Sequence, residues 1–306
     1  MKVLKKTKKI ITIIVLLVLL TVFACSVFAY KTKNAAHDNE SHPYLYNGRK
    51  NIECLYYNEK DFINVPGYET MKEINTIRGC IVPHHLVAED LIHEVFQNVS
   101  QYKEKYKTVV LIGPDHESQD KGKIFTALSN WQTPTGILNT DTEATKELLN
   151  NDFVVESAIK LSKEHSTSSI IPFIKFYLGD VNVITLVLTK QVKLDDVDTL
   201  VNVLYEKLNI EETLFIASVD FSHYLDLEQA SKMDLISMDA IENNNIDKIM
   251  SFTNDNLDSP ISIATMLKIM DKAGVTGQNV LNHSNLELIL KKKTDETTSY
   301  ITYLFY

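Results

Sequence analysis

Two kinds of segment alternate along the chain from about residue 73 to its C-terminus. Short runs of nearly continuous apolar residues predict buried β-strands at 77–82, 108–112, 181–188 and 213–219. Stretches with apolar residues at helical spacing predict helices at 87–99, 141–150, 166–178, 194–208, 226–243 and 262–273. Two strand-like runs, 278–281 and 299–305, close the chain. This order predicts an α/β fold, with a mostly parallel or mixed central sheet and helices on both faces.

The first 30 residues have the pattern of a targeting or anchoring segment. Residues 10–30 carry no formal charge, and five lysines without any acidic residue precede them. About 20 apolar residues span a bilayer, and a lysine flank stays in the cytoplasm. The pattern predicts that residues 1–30 anchor a single-pass membrane protein through residues 10–30, with the following domain outside the cytoplasm. A cleaved signal peptide, giving a secreted protein, and lipidation of Cys25 are the alternatives.

The remainder of the chain is acidic and predicts one folded domain. It holds 26 basic and 40 acidic residues, a balance of −14 within a total of −9. Binding to a phosphate backbone depends on basic residues, so nucleic acid is not an expected partner. Residues 31–72 are polar and mixed, which predicts a tether and an edge element before a single domain at 73–306. Cys54 and Cys80 either pair as a disulfide or remain separate thiols.

Histidines and an aspartate follow three of the predicted strands directly. His84 and His85 follow the first strand, His116 the second, and Asp220 and His223 a later one. The carboxyl ends of strands in an open α/β sheet form the edge where ligands bind. Neutral imidazole binds iron, copper or zinc, and a histidine outside the metal site can move a proton near neutral pH. The sequence therefore predicts a metal-binding or catalytic cluster at this edge.

A second group of polar residues opens the predicted helix at 166–178. Glu164 and His165 precede Ser166, which has the residue type of a helix N-cap. This placement puts both side chains near the same edge of the sheet, where they either cap the helix or join the cluster.

Six motifs resemble, in order and spacing, those of the Memo-like family, called AmmeMemoRadiSam system protein B in microbes. The resemblance extends from about residue 77 to residue 306. The motifs are Val82-Pro83-His84, Gly113-Pro114-Asp115-His116, Thr133-Pro134-Thr135-Gly136, Glu164-His165-Ser166, Pro172-Phe173 and Ser218-Val219-Asp220-Phe221-Ser222-His223-Tyr224.

The resemblance implies a fold similar to that of the class III extradiol dioxygenases, which use non-haem iron. It implies that His84 and His116 are metal ligands and that His223 is an acid/base group. The resemblance also implies that Asp220 and His165 line the same pocket, and with His223 they are the candidate catalytic residues. The family also implies a functional link to radical SAM and AMMECR-type proteins.

The third metal ligand departs from the family pattern. The family has a cysteine four residues before a Pro-Ile pair, and this chain has Asn256 there, before Pro260-Ile261. Asp258 lies two residues further on and is the expected third ligand: it completes a set of two histidines and one carboxylate with His84 and His116 if the loop is shifted by two residues. His85 and Asn256 are the alternative third ligands.

Three functions follow from these residues. The first is a metal-dependent redox or dioxygenase-like enzyme with a single iron, copper or zinc ion. The second is a non-catalytic module that binds a small molecule or peptide and has a degenerate metal site. The third is a metal-dependent hydrolase.

Overall fold

The computed structural model describes residues 45–306, except 47–48, 73 and 118–121. The proposed anchor at residues 1–30, its apolar segment 10–30 and Cys25 lie outside the described residues. Within the described part of the chain, no helix has both the length and the apolar character of a membrane span. The longest helix there, Leu227–Glu242, has 16 residues, against the roughly 20 that a bilayer requires. This finding contradicts the prediction of a single-pass membrane protein with an external domain.

The strands are short at the N-terminal end and longest where they form the core of the sheet. In chain order they are β1 (Leu45–Tyr46), β2 (Arg49–Lys50), β3 (Ile52–Glu53), β4 (Gly79–Val82), β5 (Thr108–Pro114), β6 (Ile124–Thr126), β7 (Trp131–Thr133), β8 (Gly136–Thr140), β9 (Val154–Glu156), β10 (Asn182–Leu188), β11 (Thr213–Ser218), β12 (His223–Leu225), β13 (Gln278–Asn285) and β14 (Thr297–Phe305).

The helices fill the connections between these strands. In chain order they are α1 (Glu89–Ser100), α2 (Thr142–Leu149), α3 (Ala158–Lys163), α4 (His165–Ser168), α5 (Ile171–Leu178), α6 (Leu194–Lys207), α7 (Leu227–Glu242), α8 (Ile246–Met250), α9 (Pro260–Lys272) and α10 (Leu286–Leu290). Single 3-10 turns occur at Glu59–Phe62, Leu86–Ala88, Lys103–Lys105 and Ile210–Glu212.

Most of these strands belong to one mixed sheet. Its main path runs β12-β14-β4-β11-β5-β10-β8-β7-β3. The central strands are parallel, since β11 pairs in parallel with β4 and with β5, and β10 pairs in parallel with β5 and with β8. β14 runs antiparallel beside β4. The prediction of a mostly parallel, mixed central sheet is therefore confirmed.

Side chains alternate between two cores on opposite faces of this sheet. Along β5, Val110 and Ile112 lie in the core that includes residues of α6 and α9. Val109 and Leu111 lie in the core that includes residues of α1 and α5. A strand that is covered on both faces must be apolar at every position, which explains the continuous apolar runs in the sequence. Helices on both faces are thus confirmed as well.

The structure adds three details to the sequence-based prediction. The helix predicted at 166–178 is two helices, α4 and α5, and Pro172 lies in the first turn of α5. Proline is favoured there because the first turn leaves its backbone N–H groups unpaired in any case. Cys54 and Cys80 are both free and buried, so they are separate thiols. β3 lies inside the proposed tether and pairs in parallel with β7, while the domain boundaries at 30/31 and 72/73 stay predictions.

Candidate metal site

The ends of three neighbouring parallel strands bring the predicted site residues together. β11 lies between β4 and β5, with Ser218 opposite Val82 and Ala217 opposite Ile112. His84, His116 and Asp220 each come two residues after one of these strands. These three residues lie close together because adjacent strands of a sheet are about 4.8 Å apart.

His84 presents an unsatisfied nitrogen at the centre of the site. Its ring is buried, and Nε2 has no hydrogen-bond partner among the described residues. Nε2 lies 3.3 Å from Asp258 Oδ2 and 3.6 Å from Asp220 Oδ2, while Nδ1 lies 3.4 Å from Ser218 Oγ. Burial lowers the pKa of His84 to about 3, so this imidazole is neutral and has a lone pair to donate.

His116 is oriented by a buried carboxylate. Its Nδ1 lies 2.8 Å from Glu164 Oε1, and its backbone N–H donates to Glu164 Oε2 at 2.8 Å. Although burial lowers the pKa of His116, its hydrogen bonds to Asp258 and Glu164 outweigh burial and raise it to about 10. Burial raises the pKa of Glu164, but the bond to His116 prevails and holds it at about 2. The pairing leaves His116 Nε2 facing Asp258 Oδ2 at 3.6 Å.

His165 completes a group of three histidines. Glu164, rather than Ser166, caps the N-terminus of α4 by accepting from the Ser166 backbone N–H at 2.9 Å, which places His165 on the first turn. The His165 ring centroid lies 4.1 Å from that of His116 and 5.1 Å from that of His84. One ring nitrogen from each histidine falls within 4.8 Å of the others, so the three could hold one metal ion. Burial lowers the pKa of His165, which favours the neutral form that binds metals.

Asp258 adds a carboxylate to the same group. Its side chain is 7% exposed, and Oδ2 approaches the Nε2 atoms of both His84 and His116. Two donor atoms that share an ion at about 2.0–2.2 Å in tetrahedral geometry lie about 3.3–3.6 Å apart, the separations seen here. Burial raises the pKa of Asp258. We refer to His84, His116, His165 and Asp258 as the histidine–carboxylate cluster.

Asn256 and His85, the two alternative third ligands, have other contacts. The Asn256 side chain contacts Ser237 Oγ on α7 at 3.3 Å. His85 Nδ1 lies 2.9 Å from Asp220 Oδ2, and the His85 side chain is 42% exposed. The hydrogen bond to Asp220 raises the pKa of His85.

Asp220 and His223 flank the cluster. Asp220 is fully buried, and its Oδ1 accepts from the His84 backbone N–H at 3.0 Å. Burial raises the pKa of Asp220, but the neighbouring His84 and His85 outweigh it and lower the pKa below its ordinary value. Burial lowers the pKa of His223, and its Nδ1 has no hydrogen-bond partner within the described chain. A neutral His223 with an available nitrogen can accept a proton.

A cavity of about 700 Å³ opens beside the cluster, and His116 and Asp258 are among its lining residues. Cavities of this size accept small molecules. The donor set of imidazoles with a carboxylate fits a first-row transition metal ion, and the unsatisfied His84 Nε2 gives that ion a position to fill.

Sequence reasoning missed two roles. It placed His165 in the pocket rather than with the metal donors, and it did not see Glu164 as the partner that orients His116. Metal-ligating histidines commonly donate their second ring N–H to a carboxylate, as His116 does to Glu164. The neighbouring Glu-His pair at the start of a helix was the available signal.

A family model and the similar curated proteins name the same family. Residues 57–304 match the family described as Memo-like protein. A MEMO1 family protein of Thermotoga neapolitana is 32% identical over 139 residues, 45% of this chain and 50% of that protein, so the match spans half of that relative. A MEMO1 family protein of Thermoplasma acidophilum is 28% identical over 217 residues, 69% of this chain and 79% of that protein. A crystal structure of an uncharacterised protein from Escherichia coli K12 has a TM-score of 0.49 and 9% identity, covering 73% of this chain and 98% of its own.

The family match includes the whole described site. Residues 57–304 contain the histidine–carboxylate cluster together with Glu164, Asp220 and His223. They also cover well over half of the chain and nearly all of the central sheet. The chain therefore belongs to the Memo-like protein family.

Proposed function

We propose that this chain is a metal-dependent enzyme that uses one iron or copper ion in a redox or dioxygenase-like reaction on a small molecule. The single observation that carries the proposal is the buried, unsatisfied Nε2 of His84, facing the carboxylate of Asp258 and two further imidazoles. A buried polar atom without a partner is costly unless a ligand satisfies it.

The residues around the cluster divide into ligands and supporting groups. His84 and His116 hold the ion, with Asp258 and His165 as the further donors. Glu164 fixes the ring of His116 by accepting from its Nδ1. Asp220 fixes the backbone of His84 and pairs with His85.

His223 is the proton carrier of the proposed reaction. Its lowered pKa keeps it neutral, and its ring centroid lies 6.3 Å from that of His85, which pairs with Asp220. A bound metal ion would supply Lewis-acid or redox chemistry at this site. The adjacent cavity gives a small molecule access to His116 and Asp258.

The second candidate is a module that binds a small molecule or peptide without turnover. It is favoured by Asn256, which stands where the resembling family has a cysteine and whose side chain contacts Ser237. A metal-dependent hydrolase is the third candidate, because a neutral His223 could take a proton from water.

Oxygen uptake and ester hydrolysis separate these candidates. Chelator-treated protein is reloaded with Fe²⁺, Cu²⁺ or Zn²⁺, and oxygen consumption with ascorbate and hydrolysis of p-nitrophenyl acetate are measured against the free ion. We expect oxygen uptake above the free-ion rate for iron or copper, and its loss in His223→Gln with metal content retained. Glu143→Gln, at an exposed position on α2, is the control and keeps the activity.

Each other result assigns a different function. Zinc-dependent ester hydrolysis without oxygen uptake would favour the hydrolase. Loaded protein that is no faster than the free ions in either assay would contradict the enzyme proposal.

A further inference from the structure

Tyr224 has a backbone conformation that its residue type disfavours. Its φ is 59°, in the left-handed region. It is also the extra residue of a β-bulge, because His223 pairs with Thr298 and Leu225 with the adjacent Thr297. Bulges next to active sites redirect a side chain, and a bulky residue with positive φ is strained.

The other described non-glycine residues with positive φ have ordinary reasons for it. Asn64 and Asn244 are asparagines, the residue type that best tolerates this conformation after glycine. Lys291 follows the last turn of α10, where helices commonly end in a left-handed residue. Tyr224 is neither an asparagine nor the residue that ends a helix, so neither reason applies to it.

Packing does not account for the strain. Tyr224 is 67% exposed, so the fold gains little from burying its ring. The ring instead lies beside the proposed proton carrier, with its centroid 5.6 Å from that of His223. It also lines the cavity that His116 and Asp258 share. Strained residues that the surrounding structure holds in place are concentrated at functional sites.

The cavity itself favours an uncharged, apolar ligand. Buried Leu188, Phe252 and Leu257 form part of its wall. Its charged groups include both signs. Asp258 faces His116 Nε2 at 3.6 Å, Asp115 pairs with Lys160 at 2.6 Å, and the exposed Lys190 and Asp255 have opposite signs.

We propose that Tyr224 is a specificity-determining residue whose ring stacks on a planar, neutral aromatic substrate held in this cavity. The identification of that ligand as substrate rests on the proposed metal-dependent function, whereas its binding does not. Aromatic rings prefer offset-stacked or edge-to-face contacts, and an exposed tyrosine at the mouth of an apolar cavity offers such a contact.

A pair of shape-related probes tests the stacking. Binding of 2-naphthol and of decahydro-2-naphthol, its non-aromatic counterpart, is measured by calorimetry on the protein as purified and after chelator treatment. We expect 2-naphthol to bind the more tightly of the two in both forms. Tyr224→Phe should keep this affinity within about 2-fold, and Tyr224→Leu should weaken it about 3- to 10-fold. Tyr57→Leu, at another exposed tyrosine, should leave it unchanged.

A stability measurement separates a ligand-binding role from a structural one. Asparagine tolerates positive φ, so Tyr224→Asn should unfold at a temperature no lower than the wild type while losing the preference for 2-naphthol. A lower unfolding temperature for Tyr224→Asn, or equal 2-naphthol affinity in Tyr224→Leu and wild type, would overturn the proposal. Failure of the metal proposal alone would leave naphthol binding to chelator-treated protein intact.

Discussion

At the scale of single residues, Glu164 joins two segments of the site. Its carboxylate accepts from the ring and backbone of His116 and from the backbone of Ser166. It is 1% exposed, and its lowered pKa keeps it ionised. One buried charge thus orients one imidazole and starts the helix that carries His165.

Glu164→Gln should weaken metal binding about 10- to 100-fold, as loss of a partner that orients a ligand commonly does. Gln retains an acceptor oxygen but not the charge that aligns the His116 ring. The dissociation constant is measured by competition with a chromophoric chelator. Glu143→Gln, an exposed position on α2, is the control. Equal affinity in wild type and Glu164→Gln would show that Glu164 has no part in holding the ion.

The identity of the carboxylate donor is a second prediction at this scale. Asp258→Asn should lower metal affinity at least about 10-fold, because its Oδ2 lies 3.3 Å from His84 Nε2. Asn256→Cys should leave the affinity within about 2-fold, because the residue 256 side chain contacts α7. The same chelator competition measures both. Tighter binding in Asn256→Cys would transfer the ligand role to position 256.

At the scale of elements, the site depends on how closely α4 approaches the end of β5. Ser166 Oγ donates to the Pro114 carbonyl at 2.7 Å. A Cβ added at Gly113 would lie 2.7 Å from Ser166 Oγ and 3.0 Å from Thr167 Cγ2. Glycine at position 113 therefore sets the distance between the strand that leads to His116 and the helix that carries His165.

Gly113→Ala should destabilise the protein by about 1–3 kcal/mol, the usual effect of overpacking a close contact. Urea denaturation of the metal-free protein measures the change. Gly67→Ala is a matched control, because a Cβ there has no atom within 4 Å, and it should change stability by less than about 0.5 kcal/mol. A Gly113→Ala protein as stable as Gly67→Ala would mean that α4 can move away from β5.

The start of α1 predicts a pH dependence of stability. Burial, and then the hydrogen bond to Asp61, raise the pKa of Glu89 from 4.5 to about 7. Since the folded state holds this proton more tightly than the unfolded state, its contribution is complete below about pH 4.5 and is lost as the pH rises through about 7. Glu89→Gln should remove the part of the loss of stability between pH 4.5 and 7 that comes from Glu89. Denaturation midpoints with identical pH profiles in both proteins would contradict the assignment.

At the scale of the whole molecule, the order of the sheet decides which parts of the chain could be predicted. The apolar runs of β4, β5, β10 and β11 were visible because strands covered on both faces carry apolar residues throughout. Their shared edge followed from the parallel arrangement, so His84, His116 and Asp220 could be placed together. The family resemblance was confirmed by the match over residues 57–304.

Other features depended on contacts that no local pattern encodes. The interaction of Glu164 with His116 joins segments 48 residues apart. The bulge at Tyr224 arises from pairing of β12 with β14, which follows much later in the chain. The membrane prediction rested on the charge and hydropathy pattern of residues 1–30, which lie outside the described residues, and no helix within the described residues combines the length and apolar character needed to cross a membrane.

The metal content of the purified protein tests the central claim most directly. Protein prepared without chelators is analysed by inductively coupled plasma mass spectrometry as wild type, as the double variant His84→Ala/His116→Ala, and as the control Glu143→Gln. We predict about one transition metal ion per chain in wild type and control, and less than about one tenth of that in the double variant. Equal metal content in all three proteins would contradict the site.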